Sequence, residues 1–255
     1  MVSPPPFFSV ITVVLNDQPG LRRTYRSLQE QAERDLEWIV VDGASGDGCV
    51  EFLKKLALPF LRWVSERDRG IYDAMNKGTR LARGRYVIYM NAGDNFADQD
   101  SLLDLKRCIE SAGMPDLCLA GCKYRFSDRK FRYRPPRRME SAIRHGLPAM
   151  HQATVYRREF LDDPPYDLSY PVSADYFVAV RCFIRGARAC YLNRAVSLFD
   201  VGGNSTMKVG ASMREHWRMQ RDLLRQGWPM RILSAARRFI AGRIIKAMHA
   251  SARRS

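Results

Sequence analysis

The chain has 255 residues, 46% hydrophobic and 27% charged, the balance of a folded protein with room for one large α/β domain or two small ones. This excludes a wholly disordered or fibrous chain, and no apolar run approaches the roughly 18–20 residues that span a bilayer. The net charge of +15 is uneven: residues 1–120 hold 15 basic and 17 acidic side chains, and residues 121–255 hold 27 basic and 10 acidic.

Such asymmetry points to an anionic partner for the second half: nucleic acid, lipid headgroups or a diphosphate-bearing substrate. Residues 1–8 lack a basic stretch and carry Pro4 to Pro6 ahead of the apolar segment, which argues against a secretory signal. Cys49, Cys108, Cys118, Cys122, Cys182 and Cys190 form no C-x-x-C pair. They read as free, mostly buried thiols in a reducing cytoplasm.

The elements follow in order. Phe8 to Leu15 is a short β-branched run and predicts a buried strand. Pro19 opens a helix to about Gln31. Leu36 to Val41 is a second strand, ending in the turn cluster Asp42 to Gly48 and a helix over about 49–56. Leu61 to Ser65 is a third strand. Residues 70–82 show helical periodicity, residues 85–90 form a fourth strand, and the polar loop Asn91 to Asn95 leads to a helix over about 100–111. Further on, the sequence predicts a strand at 117–120 and a hairpin of 123–126 with 130–133. A strand at 153–157, a helix at 174–185, a strand at 190–198 and a helix at 210–226 follow. The last 25 residues read as helical and contain no acidic residue.

Strands alternating with helices at this spacing imply βαβ units and a parallel sheet. Ligands of such sheets sit at the carboxyl ends of the strands. Those ends are Asn16-Asp17, Asp42-Gly43, Ser65-Glu66 and Asn91 to Asp94, so polar and acidic groups gather on one rim. Asp42 reads either as a turn or N-cap residue or as an acceptor for the imide N–H of uracil or the amino edge of guanine. Asn91 to Asp94 reads either as turn chemistry or as oxygen ligands for a hard divalent cation. Asp73, Asn76 and Lys77 share one helical turn, either as a solvated face or as a Lys–carboxylate pair aimed at a phosphate.

Four segments in this order resemble the family 2 glycosyltransferases of the GT-A fold. They are Ser9 to Asn16, Val40 to Gly48, Ser65 to Lys77 and Gly84 to Asp94. The resemblance covers roughly residues 7–205. The run Gly70-Ile-Tyr-Asp-Ala-Met-Asn-Lys77 is similar to the bacterial branch that builds exopolysaccharide or capsule repeat units. The implied architecture is a nucleotide-sugar-binding α/β fold, a Rossmann-like mostly parallel sheet flanked by helices, with a C-terminal helical extension. A catalytic domain would occupy 1–205, its nucleotide-binding part about 7–120 and its acceptor part about 121–205. A basic helical extension would occupy 206–255.

The resemblance also implies roles. Asp42 would bind the base, with Thr12, Asn16, Ser45 and Asn91 lining the nucleotide pocket. Asp68, Asn76 and Lys77 would lie near the ribose and phosphates. Asp94 would be the metal-binding end of the family's D-x-D element, with Mg2+ or Mn2+ as the cofactor, although Asn91 and Gly93 stand where Asp is often found. His151-Gln152 and Asp175-Tyr176 look like the acceptor-side segment, with Asp175 as the base of an inverting transfer. Gly203, in Asp200 to Ser205, would belong to a loop closing over the diphosphate. The implied enzyme is a metal-dependent, inverting glycosyltransferase, a hexosyltransferase with a UDP-sugar favoured as donor. Its acceptor would be a saccharide on a membrane polyprenyl diphosphate, in polysaccharide biosynthesis.

Two basic segments bear on partners. Residues 129–138 hold six basic side chains interleaved with Phe131 and Tyr133. In the tail, Ile232, Ala236, Ile240, Ile244 and Met248 form one stripe, with basic residues mostly opposite. The tail helix either lies in an anionic lipid interface or packs on the protein's own body. The resemblance favours the membrane reading and would place the enzyme in the cytoplasm, peripheral on the inner face of the cytoplasmic membrane. A basic nucleic-acid-binding module on an α/β scaffold is the alternative, but it gives no reason for the acidic rim.

Overall fold

The structure is a computed structural model and describes residues 4–127, 130–200 and 209–252. Four short strands open the chain: β1 (Phe8–Val14), β2 (Leu36–Asp42), β3 (Leu61–Ser65) and β4 (Tyr86–Tyr89). Helices α1 (Gln18–Gln29), α2 (Cys49–Lys55) and α3 (Ile71–Leu81) connect them. Next come β5 (Asn95–Phe96), α4 (Ser101–Ser111), β6 (Leu117–Ser127), β7 (Lys130–Arg134) and the single turn α5 (Met139–Ala142). The chain ends with β8 (Thr154–Arg157), α6 (Ala174–Ile184), β9 (Ala189–Asp200), α7 (Val209–Asp222) and α8 (Trp228–Ala252).

Among the described residues, nine strands join one sheet in the order β3-β2-β1-β4-β8-β6-β9-β5, with β7 on β6. The strands β3, β2, β1 and β4 are mutually parallel, as their helical crossovers require. Beyond β4 the sheet is mixed: β8 runs antiparallel to both β4 and β6, while β6 and β9 are parallel. The two-residue β5 and the four-residue α5 are too short to leave a periodic signal in the sequence.

The sheet is covered on both faces, so β1, β2 and β4 are buried along their whole length, the expected state of such strands. Val10 and Val14 point into a core with Trp38, Leu21, Phe52, Leu102 and Ile109, beneath α1, α2 and α4. Ile11 and Val13 point the other way, toward Met75, Tyr89, Tyr156, Tyr166 and Tyr176, beneath α3 and α6. Asp17 caps α1 by accepting a bond from the Gly20 N–H.

This topology fixes the rim. Backbone bonds from Gly43 to Val14, Glu66 to Asp42 and Ala92 to Val13 carry the pairing just past the strand ends. Because β8 is antiparallel to β4, its first residues start where β4 finishes. His151 to Ala153, a single 3-10 turn before β8, therefore stands beside the Asn91 to Asp94 loop.

Candidate active site

Asp42 ends β2 and is fully buried. Its Oδ2 accepts bonds from the Ser45 N–H at 3.0 Å and the Ser65 hydroxyl at 2.6 Å. Its Oδ1 is equally buried and has no hydrogen-bond partner. An orphaned buried carboxylate oxygen is costly unless a ligand donor completes it. The loop in front is tied down: the Asn16 N–H donates to Ser45 Oγ at 2.8 Å, and the Gly46 N–H returns a bond to Asn16 Oδ1 at 2.9 Å. Asn16 holds φ +51, a left-handed conformation that Asn adopts more readily than most residues.

Asp68 closes the third side. Its Oδ1 accepts from the Gly70 N–H at 2.8 Å, and a Cβ on Gly43 would stand 2.6 Å from its Oδ2. Glycine at 43 thus lets the β3–α3 loop pack against the strand end. Asn16, Ser45 and Asp68 therefore gather around Asp42.

Other expected ligands are placed differently. Thr12 is fully buried; its hydroxyl donates to the Met90 carbonyl and accepts from the Trp38 indole N–H. These bonds brace β1 against its neighbours. Asn76 is also buried, its amide clamping both backbone groups of Tyr166 at 2.8 and 2.9 Å. Lys77 is turned onto its own loop, at 2.7 Å from the Arg67 carbonyl and 2.8 Å from Glu66 Oε1. The partner of Asp73 is Arg69. The shared turn of Asp73, Asn76 and Lys77 is thus spent on holding loops, because each side chain has a partner already fixed by the fold.

On the other side of β1, Asp94 is buried, and its Oδ2 accepts from the Gln152 amide at 3.1 Å. Nearby, Asn91 Oδ1 and Gln152 Oε1 are buried without a hydrogen-bond partner. Gly93 holds φ +93, which disfavours the Asp often found at that place in the family. The donor set is one carboxylate plus two orphaned amide oxygens, hard oxygen chemistry that fits Mg2+ or Mn2+. His151 is held neutral, its pKa pushed down to about 4 by burial.

Asp175 lies in the first turn of α6. Its Oδ1 accepts from the Tyr176 N–H at 2.8 Å, and the Tyr72 hydroxyl stands 3.4 Å away. That hydroxyl is also 3.0 Å from the Val172 carbonyl. Burial raises the Asp175 pKa to about 6, against the opposing pull of the Tyr176 N–H, Tyr72 and Arg238. Tyr72 sits at the start of α3, directly after Asp68 and Gly70, so Asp175 adjoins the same rim. Gly203 lies outside the described residues.

The cationic segments are partly spent. Arg134 and Arg137 bond the Leu147 carbonyl, and Arg138 stacks on Tyr191. Helix α8 docks through polar groups: buried Ser234 meets Gln220, Arg231 covers Trp217 and Arg237 meets His145. Its apolar residues Ile232, Leu233, Phe239 and Ile240 remain exposed. The tail thus both packs on the body and keeps an open apolar stripe; the side chains of Ile244 and Met248 lie outside the described residues. Among the described residues, no helix is long and apolar enough to cross a membrane.

Residues 9–174 match the family model described as Glycosyl transferase family 2. The chain belongs to this family. This family 2 glycosyltransferase is 31% identical over 211 residues to the PGL/p-HBAD biosynthesis glycosyltransferase of Mycobacterium bovis, covering 80% of this chain and 81% of that one. It is 38% identical over 109 residues to an uncharacterized glycosyltransferase of Mycobacterium tuberculosis, a stretch that spans only 42% of either chain. The mannosyltransferase PcManGT of Pyrobaculum calidifontis, solved with GDP-Man and Mn2+, superposes with a TM-score of 0.68 at 18% identity, over 98% of this chain and 74% of that one. TarS 1–349 of S. aureus, solved with UDP-GlcNAc, superposes at 0.67 with 16% identity, over 91% and 71%. The fold is therefore the GT-A fold. The nucleic-acid alternative finds no support in these relatives.

The sequence missed part of this family 2 site. Tyr72 was visible only as a member of the Gly70 to Lys77 run. Glu215 of α7 accepts the Val172 and Ser173 N–H groups at the start of α6, and Arg238 of α8 exerts its charge on Asp175. Glu215 lies 42 and 43 residues from the groups it binds and Arg238 lies farther still, and no local pattern announces such a contact.

Proposed function

We propose that this chain transfers a sugar, with inversion, from a nucleoside diphosphate sugar to an acceptor hydroxyl. The observation that carries the proposal is the buried Asp42 carboxylate, whose Oδ2 is fixed by Ser45 and Ser65 while Oδ1 lacks a partner. That oxygen suits the imide N–H of uracil, or the N–H edge of guanine. A UDP-hexose is the favoured donor. Asn16, Ser45 and Asp68 frame the nucleotide.

Asp175 is the base. The acceptor hydroxyl attacks the anomeric carbon and gives its proton to the carboxylate. The new C–O bond forms as the bond to the diphosphate breaks, and the nucleoside diphosphate leaves. A base near pH 6 suits this step at neutral pH, being mostly ionised yet still able to take a proton. Asp94 and Asn91 would hold Mg2+ or Mn2+, which when bound neutralises charge on the diphosphate. His151 and Gln152 belong to the acceptor side, with Gly203 in the loop over the diphosphate.

The acceptor we propose is a saccharide carried on a polyprenyl diphosphate, in an exopolysaccharide or capsule pathway. The exposed stripe of α8 and its flanking arginines would hold the enzyme on the inner face of the cytoplasmic membrane. The division into a catalytic unit over 1–205 and an extension over 206–255 goes with this reading.

The test is to incubate the purified chain with UDP- and GDP-hexoses, a polyprenyl-diphosphate saccharide and Mn2+, and to follow nucleoside diphosphate release and product mass. Transfer that Asp175→Asn abolishes supports the proposal. Turnover of Asp175→Asn near that of the wild type overturns the assignment of the base.

A further inference from the structure

Between α4 and the strands β6 and β9, three cysteines converge. Cys108 comes from α4, Cys118 from β6 and Cys190 from β9. Their sulfur atoms all lie within 4.8 Å of one another, and those of Cys108 and Cys190 are 3.6 Å apart. Cys118 and Cys190 are direct register partners on adjacent parallel strands. The other cysteines, Cys49, Cys122 and Cys182, are also free thiols but do not join this group.

The position separates this cluster from the rim. Strand β6 runs in the same direction as β4, because β8 is antiparallel to both. By register Cys118 is level with Ile88 of β4, Val10 of β1 and Trp38 of β2, and it therefore lies within the core, short of the strand ends that carry Asp42 and the Asp94 loop. Cys118 and Cys190 are buried, while Cys108 is half-buried on the helix that covers them.

We propose that Cys108, Cys118 and Cys190 form a thiolate site for a soft divalent ion of the zinc or cadmium type. Bonds of about 2.3 Å from one ion to each sulfur put the sulfurs about 4 Å apart, which the observed spacing accommodates. Thiolates select soft ions, whereas the carboxylate and amide oxygens at the rim select hard ones. Binding replaces three thiol protons, which leave to solvent, by one M2+ and three metal–sulfur bonds. Among the described residues no histidine or carboxylate joins the group, so the fourth position falls to water, reached past half-buried Cys108. The ion would clip α4 to β6 and β9, and its contribution is to folding rather than to transfer.

The experiment uses the reduced full-length protein stripped of metal and titrated with Cd2+, watching the sulfur-to-cadmium charge-transfer absorption and the melting temperature. The expected result is a band that saturates at one ion per chain, with a rise in melting temperature. Both should persist in Cys122→Ser and be lost in Cys108→Ser, which changes only the half-buried member. Excess Mn2+ should not displace the bound Cd2+. No band, or a band of equal amplitude in Cys108→Ser, overturns the proposal. So does peptide mass mapping of the aerated protein that finds Cys108 and Cys190 joined as a disulfide while Cd2+ gives no band after reduction.

Discussion

The Tyr72 hydroxyl stands 3.4 Å from Asp175 Oδ1, joining the first turn of α3 to the first turn of α6 across 103 residues of chain. The contact brings the candidate base beside the loop that holds Asp68. It also stacks Tyr72 on Tyr166, with ring centroids 5.3 Å apart, whose backbone Asn76 clamps. The run from Gly70 to Lys77 therefore shapes the site mainly by bracing it.

The protonation of Asp175 gives the first prediction. A base with a pKa of about 6 places the acid limb of kcat/KM near pH 6, with activity rising above it. Asp175→Asn should lower turnover by about 10^2–10^4-fold and leave nucleotide binding in place. Stability gives an independent check. Folding raises this pKa, so the folded state binds the proton more tightly than the unfolded one. The stabilisation from that proton is full below the unfolded value and is lost as pH rises through about 6. At pH 8, Asp175→Asn should accordingly be more stable than the parent, by on the order of 2 kcal/mol; denaturant melts at pH 4 and pH 8 measure the difference.

Arg238 gives the second. Its guanidinium donates to Ser212 Oγ at 2.8 Å, and that hydroxyl lies 3.0 Å from Ser173 Oγ, at the N-cap of α6. Its positive charge favours the ionised form of Asp175. Arg238→Ala should move the acid limb to higher pH, and Arg238→Lys should restore part of the shift. Tyr72 and Glu215 also face this region, so Glu215→Gln is the control that removes negative charge and should not move the limb upward. Loss of activity with an unmoved pH profile would make Arg238 a packing residue alone.

The parallel strands and their helices were legible from local pattern: Phe8 to Val14 and Leu36 to Val41 are short, mostly apolar runs rich in β-branched residues, and 71–81 repeats as a helix. The rim was legible for the same reason, since acidic residues directly follow those strands. What each side chain does there was not. The bonds of Thr12 to the Trp38 indole and of Asn76 to the Tyr166 backbone are long-range contacts that no local pattern announces. Arg238 sits in a tail whose basic residues read from sequence as lying mostly opposite the apolar stripe. Only packing distinguishes the arginine that turns inward from those that stay in solvent.

Asp42 gives the third prediction. Asp42→Asn replaces one carboxylate oxygen by a donor, so either the Ser45 and Ser65 bonds or the free acceptor is lost. Binding of a nucleoside diphosphate should weaken by about tenfold or more, as expected for one buried hydrogen bond worth 1–3 kcal/mol. Isothermal titration with UDP and GDP measures it, and unchanged affinity would remove Asp42 from the base-binding role.

The α8 stripe gives the fourth. Phe239 and Ile240 are 52% and 58% exposed, too open to contribute much to folding. Replacing both with Asp should abolish cosedimentation with anionic phospholipid vesicles while leaving the melting temperature within about 2 °C, as expected of surface changes. Equal vesicle binding by the variant would show that the stripe does not face lipid.

The most direct test is the melting temperature of the wild-type chain and three variants with UDP or GDP, each with and without Mn2+. If one cleft joins Asp42 and Asp94, a nucleoside diphosphate stabilises the wild type more with Mn2+ than without. Asp94→Asn should erase the Mn2+ increment, Asp42→Asn should reduce the nucleotide effect, and Asp175→Asn should keep both. A wild-type chain that neither nucleotide stabilises in the presence of Mn2+ would contradict the account.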